Sequence, residues 1–429
     1  MRLHRRSARI AVVVTVVAAI VAATTISAGA SVKQRNAGST ITAGVLHAFT
    51  GQTAFFGSNA SVACLAAASQ INAAGGVMGS QLACQNFDTK GDPADAVPVT
   101  SRMLASTSNL VMVVGPDGND IPAVLPLFTQ AKMPEMNTVG DPRYDKQTSP
   151  YFWRLTPSDS TQGPALAYYA AKVRGYKKIA EVFTSDLSGQ TTVVPFRKKY
   201  AALHGKEVIK LSLTPGQASY QTEVARLVAA KPQAIVGDLD ARTAATFLSE
   251  VQQQNGTLIP FIGGQQSVQG DWTSAVVPAV GAANVQKYVS AVTPNLSASG
   301  TAFKAFQTAV KKAGANDFQK NNAFVAATYD GVIAFALAMD MARSTTPSTY
   351  VNYIGRVTSA KPGSVTVHTY AGAVAALAKG EKIRYVGASG VLAFDKYHTA
   401  NRGYVGQRYH AADESWRNTA MIPKAQTTP

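Results

Sequence analysis

The chain has few of the residues on which most enzymes and metalloproteins depend. It contains two cysteines and six histidines among 429 residues. The sequence also lacks a G-x-S-x-G nucleophile elbow and a glycine-rich phosphate loop, which argues against a serine hydrolase and a nucleotide-binding enzyme. We therefore expect no catalytic residue, no metal and no cofactor. The histidines downstream of the N-terminal segment are dispersed and form no metal-spaced pair: His47, His204, His368, His398 and His410.

Acidic residues are scarce compared with basic ones. The 40 Lys and Arg against 24 Asp and Glu give a formal net charge of +16, or about +12 once the four arginines of the N-terminal segment are set aside. The basic residues are scattered, and the dense run Arg197-Lys198-Lys199 is typical of a solvent-exposed helix face. This distribution argues against nucleic acid as a partner. It favours an anionic cell envelope or an anionic ligand.

A long apolar run lies near the N-terminus. Four arginines within the first nine residues precede apolar residues 10–23, and Ala28-Gly29-Ala30 supplies the small residues that a signal peptidase reads. We predict a signal peptide at residues 1–30 and export to the periplasm, the cell envelope or the extracellular space. The alternative is a retained signal anchor, because residues 10–30 are about long enough to span a bilayer. No cysteine lies near the predicted cleavage site, so we expect no lipid anchor.

The two cysteines, Cys64 and Cys84, are placed to form a disulfide, which export permits. Cys64 lies two helical turns before Ile71, so both side chains should face the sheet from one helix. Cys84 lies on the strand that follows. We predict a bridge between Cys64 and Cys84, the alternative being two buried free thiols. The spacing fits neither a metal site nor a C-x-x-C redox pair.

Predicted strands and helices alternate in two separate series. The first runs from Ile41 to Asn137 and the second from Tyr151 to Gly263, and each has the pattern of a parallel sheet covered by helices. A chain of this length accommodates two domains, because single cores stop growing near about 250 residues. Two further helices, Ala302–Ala313 and Asn322–Met341, need a sheet face to cover.

The segment from Thr50 to Leu82 carries the most specific pattern in the chain. It closely resembles the first strand-loop-helix of the branched-chain amino acid (Leu/Ile/Val) binding proteins. These are type I periplasmic binding proteins that feed ABC importers. The N-x-x-G-G-x-x-G signature of that family is matched by Asn72, Gly75, Gly76 and Gly79.

The resemblance covers most of the chain from Thr40 to Tyr409 through further motifs in the same order. It implies an α/β fold of two Rossmann-like lobes, joined by three crossover strands with a ligand cleft between them. It places residues 39–156 and 293–386 in lobe 1, and residues 157–292 and 387–429 in lobe 2. The further motifs are Ser149–Arg154, Ser160–Gly163, Ala327–Asp330, Tyr385–Gly390 and Phe394-Asp395.

Ligands of two-lobed α/β proteins bind between the lobes, at the carboxyl ends of both sheets, and the lobes close by hinge motion. Six loops follow the predicted strands at those ends, and we call them the cleft loops. They are residues 49–57, 115–122 and 137–141 in lobe 1, and residues 184–189, 238–242 and 263–267 in lobe 2.

In lobe 1 the resemblance assigns ligand contacts to the cleft loops. Phe56 matches an aromatic residue that touches the ligand, although Phe55 and Phe56 could instead be a lid over the helix. Thr138 and Gly140 match the positions that bind the ligand carboxylate, and Gly140 offers only its amide. The same loops supply three further candidate ligand-binding residues, Gly51, Asp117 and Asn119.

In lobe 2 the chain departs from the family pattern. Gln265 stands where the amino-acid binders have the acid that pairs with the ligand ammonium, and a neutral side chain cannot offset the cost of desolvating that charge. Asp240 replaces an aromatic residue, and Ser188 replaces the tyrosine that closes the pocket. Either Asp240 or Asp238 pairs with the ammonium, or the ligand is not an α-amino acid. The alternative role for both aspartates is a helix N-cap ahead of Arg242.

We therefore expect an exported, monomeric solute receptor rather than an enzyme. It would bind a small polar solute, such as an amino acid or an amide, and deliver it to the membrane permease of an ABC transporter. A ligand-sensing module of the same fold is the first alternative. A secreted hydrolase is the remote one, because it would need a nucleophile and a base in the cleft.

Overall fold

The computed structural model describes residues 39–51, 53–295 and 300–428. The predicted signal peptide at residues 1–30 lies outside the described residues. The described elements belong to one unit, Ala37–Pro429, in which strands and helices alternate in two series as predicted.

The first series builds a five-stranded parallel sheet. Its elements are β1 (Ile41–His47), α1 (Ala54–Ala73), β2 (Leu82–Asp88), α2 (Pro93–Ser106), β3 (Leu110–Val114), α3 (Ile121–Ala131), β4 (Glu135–Asn137) and β5 (Phe152–Arg154). The strands lie in the order β2-β1-β3-β4-β5. β1 is buried along its whole length, as expected of a central parallel strand with both faces covered.

The second series builds most of a larger sheet. Its elements are α4 (Asp159–Tyr168), β6 (Lys178–Thr184), α5 (Leu187–Ala202), β7 (Lys206–Leu213), α6 (Gln221–Ala230), β8 (Ala234–Val236), α7 (Ala241–Asn255), β9 (Phe261–Gly263), α8 (Gly270–Val280), α9 (Ala282–Tyr288) and β10 (Val289–Pro294). A π-helical turn at Tyr169–Val173 prolongs α4.

The chain then returns to the first sheet. The returning elements are α10 (Gly300–Lys312), α11 (Asp317–Asn321), α12 (Ala323–Ala342), α13 (Pro347–Tyr350), α14 (Ile354–Thr358), β11 (Val365–Val367), α15 (Tyr370–Ala378) and β12 (Ile383–Tyr385). α10 and α12 pack on α1, as the resemblance implies. α1 and α12 are long and apolar enough to cross a membrane by length and composition. Burial of most of α12 in the core explains its composition.

A C-terminal hairpin completes the larger sheet. It consists of β13 (Tyr404–His410) and β14 (Ser415–Ile422), and it adds two antiparallel strands to give the order β14-β13-β10-β9-β8-β6-β7. We call the first sheet with its helices lobe 1 and the second sheet with its helices lobe 2. The sequence analysis did not predict this hairpin, because β14 is mostly exposed or half-buried and lacks the apolar alternation that marks a strand.

The element boundaries agree with the sequence pattern between Ile41 and Gly263. The ends of the predicted elements move by no more than about three residues, within the usual uncertainty of such boundaries. The largest change is at α5, which was predicted from Gln190 and begins at Leu187. The cause is Asp186, whose carboxylate accepts a hydrogen bond from the Gly189 amide at 3.1 Å and caps the helix earlier.

We call each segment that crosses from one lobe to the other a passage. The first passage, around Arg154, and the last of the three, around Thr399, run side by side. The amide of Arg154 donates to the carbonyl of His398 at 2.9 Å, and the amide of Ala400 donates to the carbonyl of Arg154 at 2.8 Å. The Arg154 guanidinium is buried and donates to Asp145 at 2.8 Å and to the Thr399 hydroxyl at 3.1 Å. The first and last passages are therefore joined by both backbone and side-chain bonds.

A buried carboxylate holds the last passage to α12. Asp330 is fully buried and accepts hydrogen bonds from the Tyr385 hydroxyl at 2.8 Å and from the Ala388 amide at 3.0 Å. Its other oxygen accepts from the amide and the hydroxyl of Ser389, both at 2.6 Å. Four donors around one carboxylate offset its desolvation and fix where the passage leaves lobe 1.

The predicted disulfide is present between α1 and β2. Cys64 and Cys84 are bonded, with their Cα atoms 6.2 Å apart. The bond joins the buried face of α1 to the neighbouring strand. The alternative of two free thiols is therefore wrong.

We predict that removing this bond destabilises the fold through the unfolded state. The cysteines are 20 residues apart, and closing a loop of that size contributes about 3 kcal/mol to the free energy of unfolding. Cys64→Ala/Cys84→Ala should lose about that amount in a urea titration. Addition of a thiol reductant should destabilise the native protein and leave the double variant unchanged. An equal free energy of unfolding for the two proteins would contradict the prediction.

Candidate ligand-binding site

Two carboxylates shape the loop that leaves β1. Asp117 accepts from His47 Nδ1 at 2.7 Å with one oxygen and from the Ala48 amide at 3.0 Å with the other. Asp88 at the end of β2 accepts from the Phe49 amide at 2.8 Å. Both oxygens of Asp117 therefore hold the protein's own loop. Its predicted role as a ligand contact remains a prediction.

The first cleft loop turns directly into α1. Gly51 has a φ of +86°, in the left-handed region that favours glycine. The α1 backbone lies so close to the end of β1 that a Cβ on Gly57 would collide with the Ala48 carbonyl. Phe56 is 41% exposed, and its ring centroid lies 4.1 Å from that of Phe55.

A cavity of about 260 Å³ lies where α1 of lobe 1 meets α8 of lobe 2. Phe55 and Asn59 line it from α1, and Asp271 lines it from α8. Gln319, just before α12, donates to Asn59 at 3.0 Å, while Asn322 donates to Gln269 of lobe 2 at 3.0 Å. The start of α12 therefore contacts both lobes beside the cavity.

The loop after β3 contains a buried acid with weak hydrogen bonding. Asp120 is fully buried, the Thr89 side chain lies near enough to lower its pKa, and among the described residues no group meets full hydrogen-bond geometry with either oxygen. Burial raises the pKa of Asp120 to about 6, and the charge of nearby Asp117 adds to the rise. Asn119 is exposed and makes no side-chain hydrogen bond within the described part of the chain. Sequence analysis had selected Asn119 and missed Asp120.

A carboxyl group of lobe 2 lies against the third cleft loop of lobe 1. Asp159, at the start of α4, packs so closely on Gly140 that a Cβ there would collide with its carboxyl group. The Gly140 carbonyl accepts from the Asp159 amide at 2.8 Å. Thr138 is half-buried, and no hydrogen bond to its hydroxyl is found in residues 39–51, 53–295 and 300–428. A protein carboxyl group thus lies against Gly140, one of the two positions assigned by the resemblance to the ligand carboxylate.

Asp159 is buried beneath this loop. It accepts a hydrogen bond from the Thr191 hydroxyl at 2.8 Å. Burial raises the pKa of Asp159 to about 6 despite that bond and the nearby charge of Arg154. Asp159 is not among the residues that the sequence assigns to the site.

Asp238 follows β8 and is the most strongly perturbed acid of lobe 2. It is 2% exposed, and one oxygen accepts from Gln162 Nε2 at 3.2 Å. The Gln266 amide lies near enough to lower the pKa of Asp238, but among the described residues no group meets full hydrogen-bond geometry with the other oxygen. Burial, followed by the charge of Asp159, raises the pKa of Asp238 to about 8. A Cβ on Gly264 would collide with this carboxyl group, so the loop after β9 packs directly on it.

The two oxygens of Asp240 differ in their hydrogen bonding. One oxygen accepts from the Thr243 amide at 3.0 Å and caps α7. The other oxygen is buried with no partner among the described residues. The helix-cap interpretation therefore applies to Asp240 and not to Asp238.

The remaining lobe 2 candidates make few contacts. Gln265 begins a 3-10 turn, Gln265–Val268, and is half-buried. Its backbone carbonyl accepts from Gln269 Nε2 at 3.3 Å. Ser188 belongs to α5, and its side chain lies outside the described residues. Ligand contact by either residue stays a prediction.

Comparisons with known sequences indicate the protein's family. A family model described as "Periplasmic binding protein" matches residues 40–404. An amino acid binding protein of Pseudomonas aeruginosa is 26% identical over 253 residues, which cover 53% of this chain and 64% of that protein. The Leu/Ile/Val-binding protein homolog 1 of Brucella melitensis is 24% identical over 231 residues, covering 54% and 62%. The chain thus spans a little less than two thirds of these relatives.

Solved structures share the fold over almost the whole described chain. The branched-chain amino acid transporter substrate binding protein LivJ of Streptococcus pneumoniae, in complex with isoleucine, has a TM-score of 0.71 at 21% identity, covering 89% of this chain and 99% of that one. A solute binding protein of R. palustris in complex with 4-hydroxybenzoate has a TM-score of 0.69 at 17% identity, covering 89% and 96%. The predicted α/β fold and the family resemblance are both confirmed.

We predict that the stability of the protein falls as Asp159 and Asp238 ionise. The pKa values of about 6 and about 8 lie above the unfolded value of 3.8. The folded state therefore holds these protons more tightly, and the associated stability is lost as pH rises between about 4 and about 8. Asp238→Asn should reduce the fall in Tm between about pH 5 and about pH 9.

The matched control is Asp413→Asn in the turn between β13 and β14. Hydrogen bonds from Ser415 and Arg417 lower the pKa of Asp413, so its titration lies below the window. This variant should retain the wild-type slope of Tm against pH. An unchanged slope in Asp238→Asn would show that Asp238 does not titrate there.

Proposed function

The chain belongs to the periplasmic binding protein family, and on that premise we propose that it is an exported solute-binding protein of an ABC importer. It binds one small polar solute between its lobes, closes on it by hinge motion, and delivers it to a membrane permease. It acts as a monomer. Its family implies export to the periplasm, and the arginine-rich leader at residues 1–30 is the proposed signal for it.

Buried polar atoms without partners at the carboxyl edges of both sheets are the observation that carries this proposal. Asp120 lies at that edge in lobe 1, and Asp238 and Asp240 lie at it in lobe 2. Buried polar groups in folded proteins nearly always have a hydrogen-bond partner. These atoms lie where such folds bind ligands, and a bound ligand would supply the hydrogen-bond partner that each of them lacks.

The arrangement of the passages supports hinge closure. The paired backbone around Arg154 and Thr399 joins the lobes along one side of the cleft. Beside the cavity, the lobes also meet through the hydrogen bond between Asn322 and Gln269 and through Phe318, which packs on Gly270. In the proposed motion the joined passages act as the hinge and the contacts beside the cavity change.

Binding without turnover is part of the proposal. Members of this family and its structural neighbours are solute-binding proteins. Among the described residues of the cleft, the histidine–carboxylate pair is His47 with Asp117, and the His47 ring is buried with its Nε2 packed against Gly115. General-base catalysis needs a group free to take a substrate proton. Incubation of the protein with a bound solute, followed by mass spectrometry, should return that solute unchanged.

The solute can be found by thermal-shift screening of the mature protein. A ligand that binds only the native state raises Tm by mass action. The panel should contain amino acids, amides, amines, guanidines, short peptides and aromatic acids. We expect at least one compound to raise Tm in a concentration-dependent manner. A protein that responds to a polymer or another protein and to no compound in the panel is not a solute receptor.

We predict that Phe56→Ala and Asp240→Ala weaken the binding of that solute by about tenfold each, because anchoring contacts carry most of the affinity. The control for Phe56 is Leu65→Ala, since Leu65 is also on α1 and is similarly exposed, at 44%. Calorimetry should show unchanged affinity for the control. Unchanged affinity in both cleft variants would remove Phe56 and Asp240 from the site.

A further inference from the structure

The cleft loops are acidic, whereas the chain as a whole is basic. The protein as a whole has a net charge of +16. Among the residues of the six loops there is one basic side chain, Arg242, against six acidic ones. The acidic residues are Asp117, Asp120, Asp141, Asp186, Asp238 and Asp240. A cleft lined by one sign of charge selects the opposite sign in what it binds.

Four of the six acids, Asp120, Asp186, Asp238 and Asp240, form no ion pair in the described part of the chain. Asp117 contacts His47, and Asp141 forms an ion pair with Arg143 at 2.6 Å. Three of these four acids, Asp120, Asp238 and Asp240, also keep buried oxygens with which no group among the described residues meets full hydrogen-bond geometry.

The unpartnered atoms at the cleft edge are all oxygens. In lobe 2, Ser267 adds a buried hydroxyl without a partner, and it lies against Gly263 at the end of β9. An ionised carboxylate only accepts hydrogen bonds, so the partner that these acids lack in their charged form is a donor. A protonated amine or a guanidinium supplies several N–H donors and a positive charge.

The side of the cleft assigned to the ligand carboxylate carries a negative group of the protein. The carboxyl group of Asp159 lies against Gly140, and its negative charge also raises the pKa of Asp238. A carboxylate of the solute placed there would meet Asp159 at short range. Like charges in a buried site are strongly unfavourable.

We propose that the solute is an organic cation without a carboxylate group, a primary amine or a guanidine, whose charged nitrogen binds Asp238. This rests on the proposed function and narrows it. The carboxyl group of Asp159 lies against Gly140 and repels the carboxylate of an amino acid. The occupant is organic rather than a metal ion, because no three His, Cys, Asp or Glu side chains are grouped to hold one in the described residues.

Binding of this cation is coupled to loss of a proton. Burial and the charge of Asp159 raise the pKa of Asp238 to about 8, so it holds a proton at neutral pH and must release it to pair with the ligand. The groups that face Asp238 are Gln162, Asp159 and Asp186. Asp159 in turn faces Arg154, Asp141 and Asp145 and, from β13, Tyr404. Affinity for the cation therefore rises between about pH 6 and about pH 8.

The test uses three compounds that share one carbon skeleton, plus a guanidine. Leucine has both charges, 3-methylbutylamine has only the ammonium, and 4-methylpentanoate has only the carboxylate; agmatine supplies a guanidinium. Calorimetry on the mature protein should show binding of the amine or of agmatine and none of 4-methylpentanoate. Leucine should bind more weakly than the amine. Titrations in buffers of different ionisation enthalpy should show proton release on binding at neutral pH.

The variants separate charge pairing from folding. Asp238→Asn should weaken the cation by at least about tenfold and abolish the proton release. Asp240→Asn is a second variant at the same edge and keeps a side chain that can cap α7. It should lose less affinity for the cation than Asp238→Asn does. Asp413→Asn on the distant hairpin turn should bind like the wild type.

Three results overturn this inference. The first is the absence of binding by every amine and guanidine tested, and the second is an Asp238→Asn variant that binds the cation as tightly as the wild type. The third is binding of a carboxylate. If 4-methylpentanoate or 4-hydroxybenzoate binds in the same series, the cation assignment fails and the solute-binding proposal stands. If no small compound of the thermal-shift panel binds, both fail.

Discussion

The hydrogen bonds that join the first and last passages between the lobes are the constraint on which the rest of the structure depends. The backbone of Arg154 pairs with His398 and Ala400, and its guanidinium is buried against Asp145 and Thr399. A buried arginine is tolerated only when its donors are satisfied. Because this joint satisfies them, it fixes one side of the cleft and leaves the carboxyl edges of both sheets facing each other.

That arrangement forces acidic side chains into a place shielded from water. Asp159 leaves the first passage and lies against Gly140 of lobe 1, while Asp238 is buried behind it with a single donor, Gln162. Neither acid is stable there as an unpaired anion, which is why burial raises the pKa of both. Burial of these two acids therefore has an electrostatic cost, and pairing with the proposed cationic solute would offset it.

Much of the fold followed from local sequence signals. Apolar runs separated by amphipathic stretches located the alternating elements, and helix periodicity located the Cys64–Cys84 bridge, because both are decided by residues close in the chain. The C-terminal hairpin was missed, since pairing with a distant strand defines it. The site was only partly predictable: the cap made by Asp240 is local, whereas the contact of Asp159 with Gly140 depends on how two lobes meet.

The family resemblance was right about the fold. Its assignment of Gly51, Phe56 and Gln265 to the cleft, and the alternative pairing of a ligand ammonium with Asp238 or Asp240, remain predictions. The most direct test is a crystal structure of the mature protein with its tightest-binding solute. Our account predicts a charged nitrogen of the solute between the lobes, about 3 Å from the unpartnered oxygen of Asp238. A solute carboxylate at that position, or a solute bound outside the cleft, would contradict it.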